Sequence, residues 1–335
     1  MQLFCGFIIS SDAAVQRFTS KQSVGTIFTF DAYQAGFQIT SSPATCRTTF
    51  PMSGTIDLSN GSDPYTPQSL ILGQDLILND VTTISSLGNI TGAGYALVLP
   101  KSVSQFPVNT SATNCTFSNL AIVCNGDFIW QAPSVTFSGN SIINGQGNVI
   151  TLAAGTSITV ASGATLVLQD VTIKNLINQI SSASDNTGTI VLKNATLVLG
   201  GEYRFDYGTL SIAQDARIAG SGSFLFKSAV VGTVASGATL TIDPGVVFIY
   251  GSTTNNKFQL ADSTAQLFLN SATLQVAAGA TAGLSLTEGT ILVDGLSYLD
   301  DPSNKGISFG PNVTVRYLPA ATMQQSSGTC SESGS

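Results

Sequence analysis

The sequence predicts an all-β chain coiled as a single-stranded parallel β-helix, a superhelical β-solenoid. Three observations lead there. The octapeptide TVASGATL occurs twice, letter for letter, at residues 159–166 and 233–240. Shorter variants of it, a small residue followed by Thr and apolar residues, recur along the chain. They read ATLVL at Ala164 and Ala195, ATLTI at Ala238, ATLQV at Ala272, GTIVL at Gly188, GTLSI at Gly208 and GTILV at Gly289. Charge is scarce as well: only 9% of the 335 residues are charged while 43% are hydrophobic, so Ser, Thr, Asn, Gln and Gly carry the polarity.

Each copy reads as a strand preceded by a corner. Side chains alternate across a strand, so Ala164, Leu166 and Leu168 point one way and Thr165 and Val167 the other. The Ser-Gly before each full copy supplies a bend, because Gly tolerates positive φ. Val160 precedes the first bend and points inward again. Asn-Gly and Asp-Gly, the pairs that favour tight hairpins, are scarce at these corners. A chain that turns the same way at each corner winds into coils, and the coils stack in parallel. Outward Thr, Ser and Asn stack in rows without the repulsion that stacked like charges would incur. At twenty-odd residues per coil, about ten or more coils are expected.

In chain order, residues 1–50 are richer in Phe, lack the small-Thr-apolar signature and read as an N-terminal cap or irregular first coils. Within them, SDAAVQRF suggests a short capping helix with Ser11 or Asp12 as N-cap. Residues 51–320 read as the solenoid, interrupted by loops, of which PKSVSQFPVNTSATN at 100–114 is a long one. The tail, 321–335, is small and polar and reads as disordered. No apolar run is long enough for a membrane-spanning helix. MQLFCGFIIS has no basic n-region and is not read as a signal peptide.

Over FSGNSIINGQGNVITLAAGTSITVASGATLVLQDVTIKNL the sequence resembles right-handed parallel β-helix proteins of bacterial surfaces. These include autotransporter-type passenger domains and polymorphic outer-membrane proteins. FxxN, one mark of the latter, stands at Phe137–Asn140 and Phe309–Asn312, whereas the companion GGA motif is absent. The resemblance implies an extracellular or cell-surface location and a structural or adhesive role, with a host-surface molecule or glycan as ligand. It covers residues 50–315 as a style of sequence.

Chemistry is thinly represented. The chain has no histidine, which removes the commonest general base and metal ligand. A formal charge of −7 lacks the footprint of nucleic-acid binding. No cofactor or metal motif is present. The runner-up function, a polysaccharide lyase or glycoside hydrolase, requires two carboxylates across a bond. Asp300-Asp301, in YLDDPSNKG, is the sole adjacent acidic pair, and it also reads as a turn. In GGEYRFDYG, alternation places Glu202, Arg204 and Asp206 on one face, able to bind a sugar or to pair with one another. Tyr203, Phe205 and Tyr207 fall on the other face, where packing is the plainer role, Tyr203 being also a binding candidate. Trp130, the single tryptophan, suits either a sugar-stacking platform or packing. Cys115 and Cys124, with eight residues between them, are either a disulfide across neighbouring strands or two small buried thiols. A third role is a subunit of a filament stacked end to end. On balance the sequence leans away from enzymatic activity.

Overall fold

Burial follows the alternation read from the sequence. In this computed structural model, Val160, Ala164 and Leu166 of the first octapeptide are buried, and so are Val234, Ala238 and Leu240 of the second. The structure describes residues 68–72, 75–78, 82–85, 87–109 and 115–332, and before these only isolated strands within 7–57. The chain divides into two units, Met1–Thr159 and Val160–Ser335. The fold is all-β, a parallel β-solenoid, with no helix among the described residues.

In the second unit the coils build three main parallel sheets. The first sheet takes Thr165–Gln169, Thr189–Lys193, Thr209–Ile212, Gly232–Val234 and Phe258–Leu260, all parallel. Register carries one inward column through it: Leu168, Leu192, Ile212, Val234 and Leu260, every one buried. The second sheet aligns Ile173, Leu197, Ile218, Ile242, Leu269 and Val293 in the same way. The third sheet is aromatic. Tyr203, Phe224 and Phe248 form one column, and Phe205, Phe226 and Tyr250 another. Phe205 and Phe226 stack 5.8 Å apart at 6°, and Phe224 and Phe248 5.5 Å apart at 8°. Offset stacking of this kind adds to plain area burial.

The parallel ladder explains why the repeat is degenerate. A coil must return each strand to register, while its corners are free to vary in length. Bonds from one coil to the next therefore span anything from 20 residues, between Ser228 and Gly208, to 28, between Thr281 and Thr253. Outward positions stack too: Thr165, Thr189 and Thr209 stand in register on the solvent side of the first sheet.

Both octapeptides turn at Ser-Gly. The N–H of Ala164 donates to Ala161 O (3.1 Å) and that of Ala238 to Ala235 O (3.0 Å), with Gly163 at φ 67° and Gly237 at φ 72°. The left-handed conformation at this position is what selects Gly. Each turn also docks on an Asp-x-Thr of the following coil, a partner that the sequence reading did not find. Gly163 N–H donates to Thr187 Oγ1 and Gly237 N–H to Thr264 Oγ1, both at 2.8 Å. Asp185 and Asp262 in turn accept the backbone N–H of Thr187 (3.1 Å) and Thr264 (2.8 Å). Ser236 donates to Asp262 at 2.5 Å, and this hydroxyl, with Thr264, holds the Asp262 carboxyl down to about 2. Ser162, then Thr187, lowers Asp185 in the same sense.

One corner of the second unit is under-satisfied. Asp243 is buried, its Oδ2 accepts from Arg217 Nε at 2.5 Å, and its Oδ1 has no partner. Removing Arg217 would leave a buried charge uncompensated. Arg217→Ala is expected to cost about 1–3 kcal/mol, read from chemical denaturation. Adding Asp243→Asn should recover part of the loss, because a neutral amide is cheaper to leave unpaired. Additive effects of the two changes would show that the pair does not stabilise the corner.

In the first unit, Gln68–Leu72, Leu87–Thr91, Cys115–Ser118 and Ser134–Ser138 are parallel neighbours, as are Ala96–Leu99 and Ala121–Cys124. Trp130 lies at the centre of an aromatic cluster, stacked 4.1 Å from Phe106 at 12° and 6.4 Å from Phe137.

Three expectations are corrected. Ala14–Phe18, read as part of a capping helix, is a strand paired antiparallel to Phe7–Ser11. Its five residues are too few to repay helix nucleation, whereas pairing satisfies their backbone at once. The tail is not disordered from residue 321. Thr322–Ser327 pairs with Leu296–Asp300, and Cys330–Glu332 with Ile307–Phe309. An edge offered by the preceding coil supplies main-chain bonds whatever the side chains, so composition misled. The 100–114 segment is in part pinned to its coil. Phe106 N–H donates to Ile129 O (2.8 Å), Ile129 N–H to Ser104 O (3.0 Å), and Gln131 bonds both backbone groups of Phe106. Residues 110–114, and most of 1–50, lie outside the described residues.

Candidate functional site

The interrupted corner of the third sheet forms the one candidate site built from residues singled out in the sequence. Strand Tyr203–Phe205 follows Gly200-Gly201 and lies one coil beyond Ile180–Ser182. Two bonds fix it there: Tyr203 OH donates to Ile180 O at 2.8 Å, and Arg204 N–H donates to Asn178 Oδ1 at 2.6 Å. Tyr203 is buried, and that burial, with the Asp206 charge behind it, pushes its phenol pKa up. It is therefore an anchor of the fold, with no surface to offer a ligand.

Arg204 points outward, as alternation predicts, and is half-buried. Its Nε and Nη2 reach Asp206 Oδ2 (3.2 Å) and Oδ1 (3.3 Å), and Nη1 lies 3.8 Å from Glu202. The Asp206 bond, then its charge, raises the guanidinium pKa further. Such a part-exposed pair contributes little stability, about 0–1 kcal/mol, but it orients both side chains. Beside it opens a cleft of about 320 Å³ lined by Asn178, Ser181, Ser184, Arg204, Asp206 and Tyr207, with Ser182 and Phe205 behind them. Tyr207, expected to share the inward face of Tyr203 and Phe205, is instead 44% exposed. The strand ends at Phe205, and alternation ends with it.

The other singled-out residues lie elsewhere and do other things. Trp130 is fully buried, which removes it as a sugar platform. Asp300 accepts from Ser327, Gln275 and Ser326, and the Ser327 bond leads in lowering its pKa against the effect of burial. Asp301 is buried and closes the turn after it. Ser303 Oγ donates to its carboxylate at 2.7 Å, Gly306 N–H at 2.7 Å and Lys305 N–H at 3.3 Å. Burial works to raise its pKa, and these bonds outweigh it, so the net shift is downward. Cys115 and Cys124 are free, buried thiols raised by that burial to about 12, rather than a disulfide. Among the described residues no three Cys, Asp or Glu side chains gather closely enough to hold a metal ion.

No protein-family model matches the chain, and neither the curated proteins nor the solved structures contain a match. The likeness to bacterial surface solenoids accordingly rests on the style of the sequence alone.

Proposed function

We propose that this chain is a non-enzymatic structural and adhesive β-solenoid of the cell exterior, a stiff scaffold presenting polar corners to a glycan or host-surface partner. The observation that carries this reading is how the acids are used. Asp185 and Asp262 hold corners, Asp243 pairs with Arg217, Asp300 and Asp301 tie the last coils, and Glu202 and Asp206 share Arg204. A lyase or hydrolase needs carboxylates left available to substrate. The uncharged stacked Thr rows and unbroken inward columns suit a durable scaffold.

Surface biotinylation of intact producing cells should label the protein, and the purified chain should release no reducing ends or unsaturated uronates from a polysaccharide panel. Confinement to the cytosol, or depolymerisation of any member of the panel, would overturn the reading.

A further inference from the structure

We propose that the cleft beside Arg204 is a binding site for a neutral sugar, a hexose or N-acetylhexosamine unit of a glycan. The inference rests on the adhesive reading above and gives it a location and a ligand class. Four observations converge.

The first is size. At about 320 Å³ the cleft lies at the small end of the ligand-pocket range, roughly 300–1,000 Å³. It has room for a sugar unit.

The second is charge. The single cation, Arg204, is already paired with Asp206 and approached by Glu202. Two carboxylates around one guanidinium leave the site net negative, which disfavours uronates, sialic acids and phosphates. The same pair presents an acceptor and a donor side by side, held by the two contacts between Arg204 and Asp206. Vicinal sugar hydroxyls, each both donor and acceptor, match that arrangement.

The third is unspent polarity. No bond within the protein engages the hydroxyls of Ser181, Ser184 or Tyr207 among the described residues. Asn178 commits its carboxamide oxygen to Arg204 N–H, leaving its NH2 as a donor. Ser182 lies behind these groups, 6% exposed, with its hydroxyl packed against Gly188 and Gly208.

The fourth is the apolar component. Sugars carry C–H faces that stack on aromatic rings. Tyr207, at 44% exposure, is the exposed aromatic side chain in the cleft wall.

The test is titration of the purified full chain, isotope-labelled, with methyl glycosides of neutral hexoses, of N-acetylhexosamines and of uronic acids, followed by NMR. A neutral or N-acetylated sugar should bind saturably with Kd of roughly millimolar or tighter, as expected for a small ligand with few contacts. Shifts should centre on residues 178–184 and 204–207. Tyr207→Ala and Asp206→Asn should each weaken binding by about tenfold or more, while Lys174→Ala, outside the cleft, should not. Tyr207 is exposed, so its variant should keep the wild-type melting temperature and surface labelling. That separates failure of this site from failure of the surface role. Absence of saturable binding across the neutral panel, tighter binding of uronates, or affinity that survives both cleft variants would overturn the proposal.

Discussion

Phe226→Ala is expected to destabilise the second unit by about 3–5 kcal/mol, the cost of deleting a fully buried aromatic ring from a core unable to collapse around the void. The position is worse than average for such a change. Phe226 stacks on Phe205 below (5.8 Å) and Tyr250 above (6.3 Å), and meets Phe258 edge-on at 5.6 Å. Parallel ladders on all three sheets hold the coil spacing fixed, so neighbouring rings cannot slide into the gap without breaking main-chain bonds. Phe226→Leu should cost less, because it retains most of the apolar volume. Urea denaturation, monitored by far-UV circular dichroism, measures both. A loss under about 1 kcal/mol for the alanine variant would mean that the aromatic columns are not what fills the third side of the coil.

Asp301→Ala should rank second, at about 2–3 kcal/mol, since it removes a buried acceptor shared by the N–H groups of Lys305 and Gly306 and the Ser303 hydroxyl around a part-exposed turn. The same carboxylate sets a pH signature. Its folded pKa lies below the ordinary carboxylate value, as do those of Asp185, Asp262 and Asp300. A depressed carboxyl contributes stability that is fully present above its unfolded pKa of about 4 and is lost as pH falls through the folded value. With no histidine in the chain, no side chain of ordinary pKa has its midpoint between about pH 5 and 8. Melting temperature should therefore be flat from pH 5 to 8 and fall below about pH 4. Asp301→Asn, unable to lose that charge, should start lower and fall less steeply. An unchanged acid slope in this variant would remove Asp301 from the account.

The scaffold was legible in the sequence because its rule is local. Period-two alternation placed Leu166, Leu168, Leu240 and Ile242 inward without knowledge of any neighbour. What was missed depends on residues one coil apart. Asn178 reaches Arg204 across 26 positions of sequence, and Ser181 and Ser184 join the same cleft through stacking that no local pattern encodes. Trp130 was ambiguous for a similar reason. Its stacking partner, Phe106, sits in a segment whose Pro and Ser content reads as an excursion, yet whose backbone bonds hold it to Ile129. Tyr207 failed in the opposite way: alternation was carried past the end of the strand that justified it. The acids illustrate a last limit, because a carboxylate in a corner and one in a catalytic pair look alike until their hydrogen-bond donors are known.

The two identical octapeptides do not occupy equivalent places. The first turn leads into the first sheet, at Thr165–Gln169, and the second leads out of it, from Gly232–Val234 to Thr239–Ile242. In genetic terms, they make poor recombination partners. Crossing over between the copies would preserve every letter of the motif and the reading frame. It would nonetheless send the chain from the strand before Ala161 straight into the second sheet, skipping one side of a coil. Whole-coil duplication or loss must therefore exchange at corners that match in position, and sameness of sequence is here a misleading guide to which corners those are.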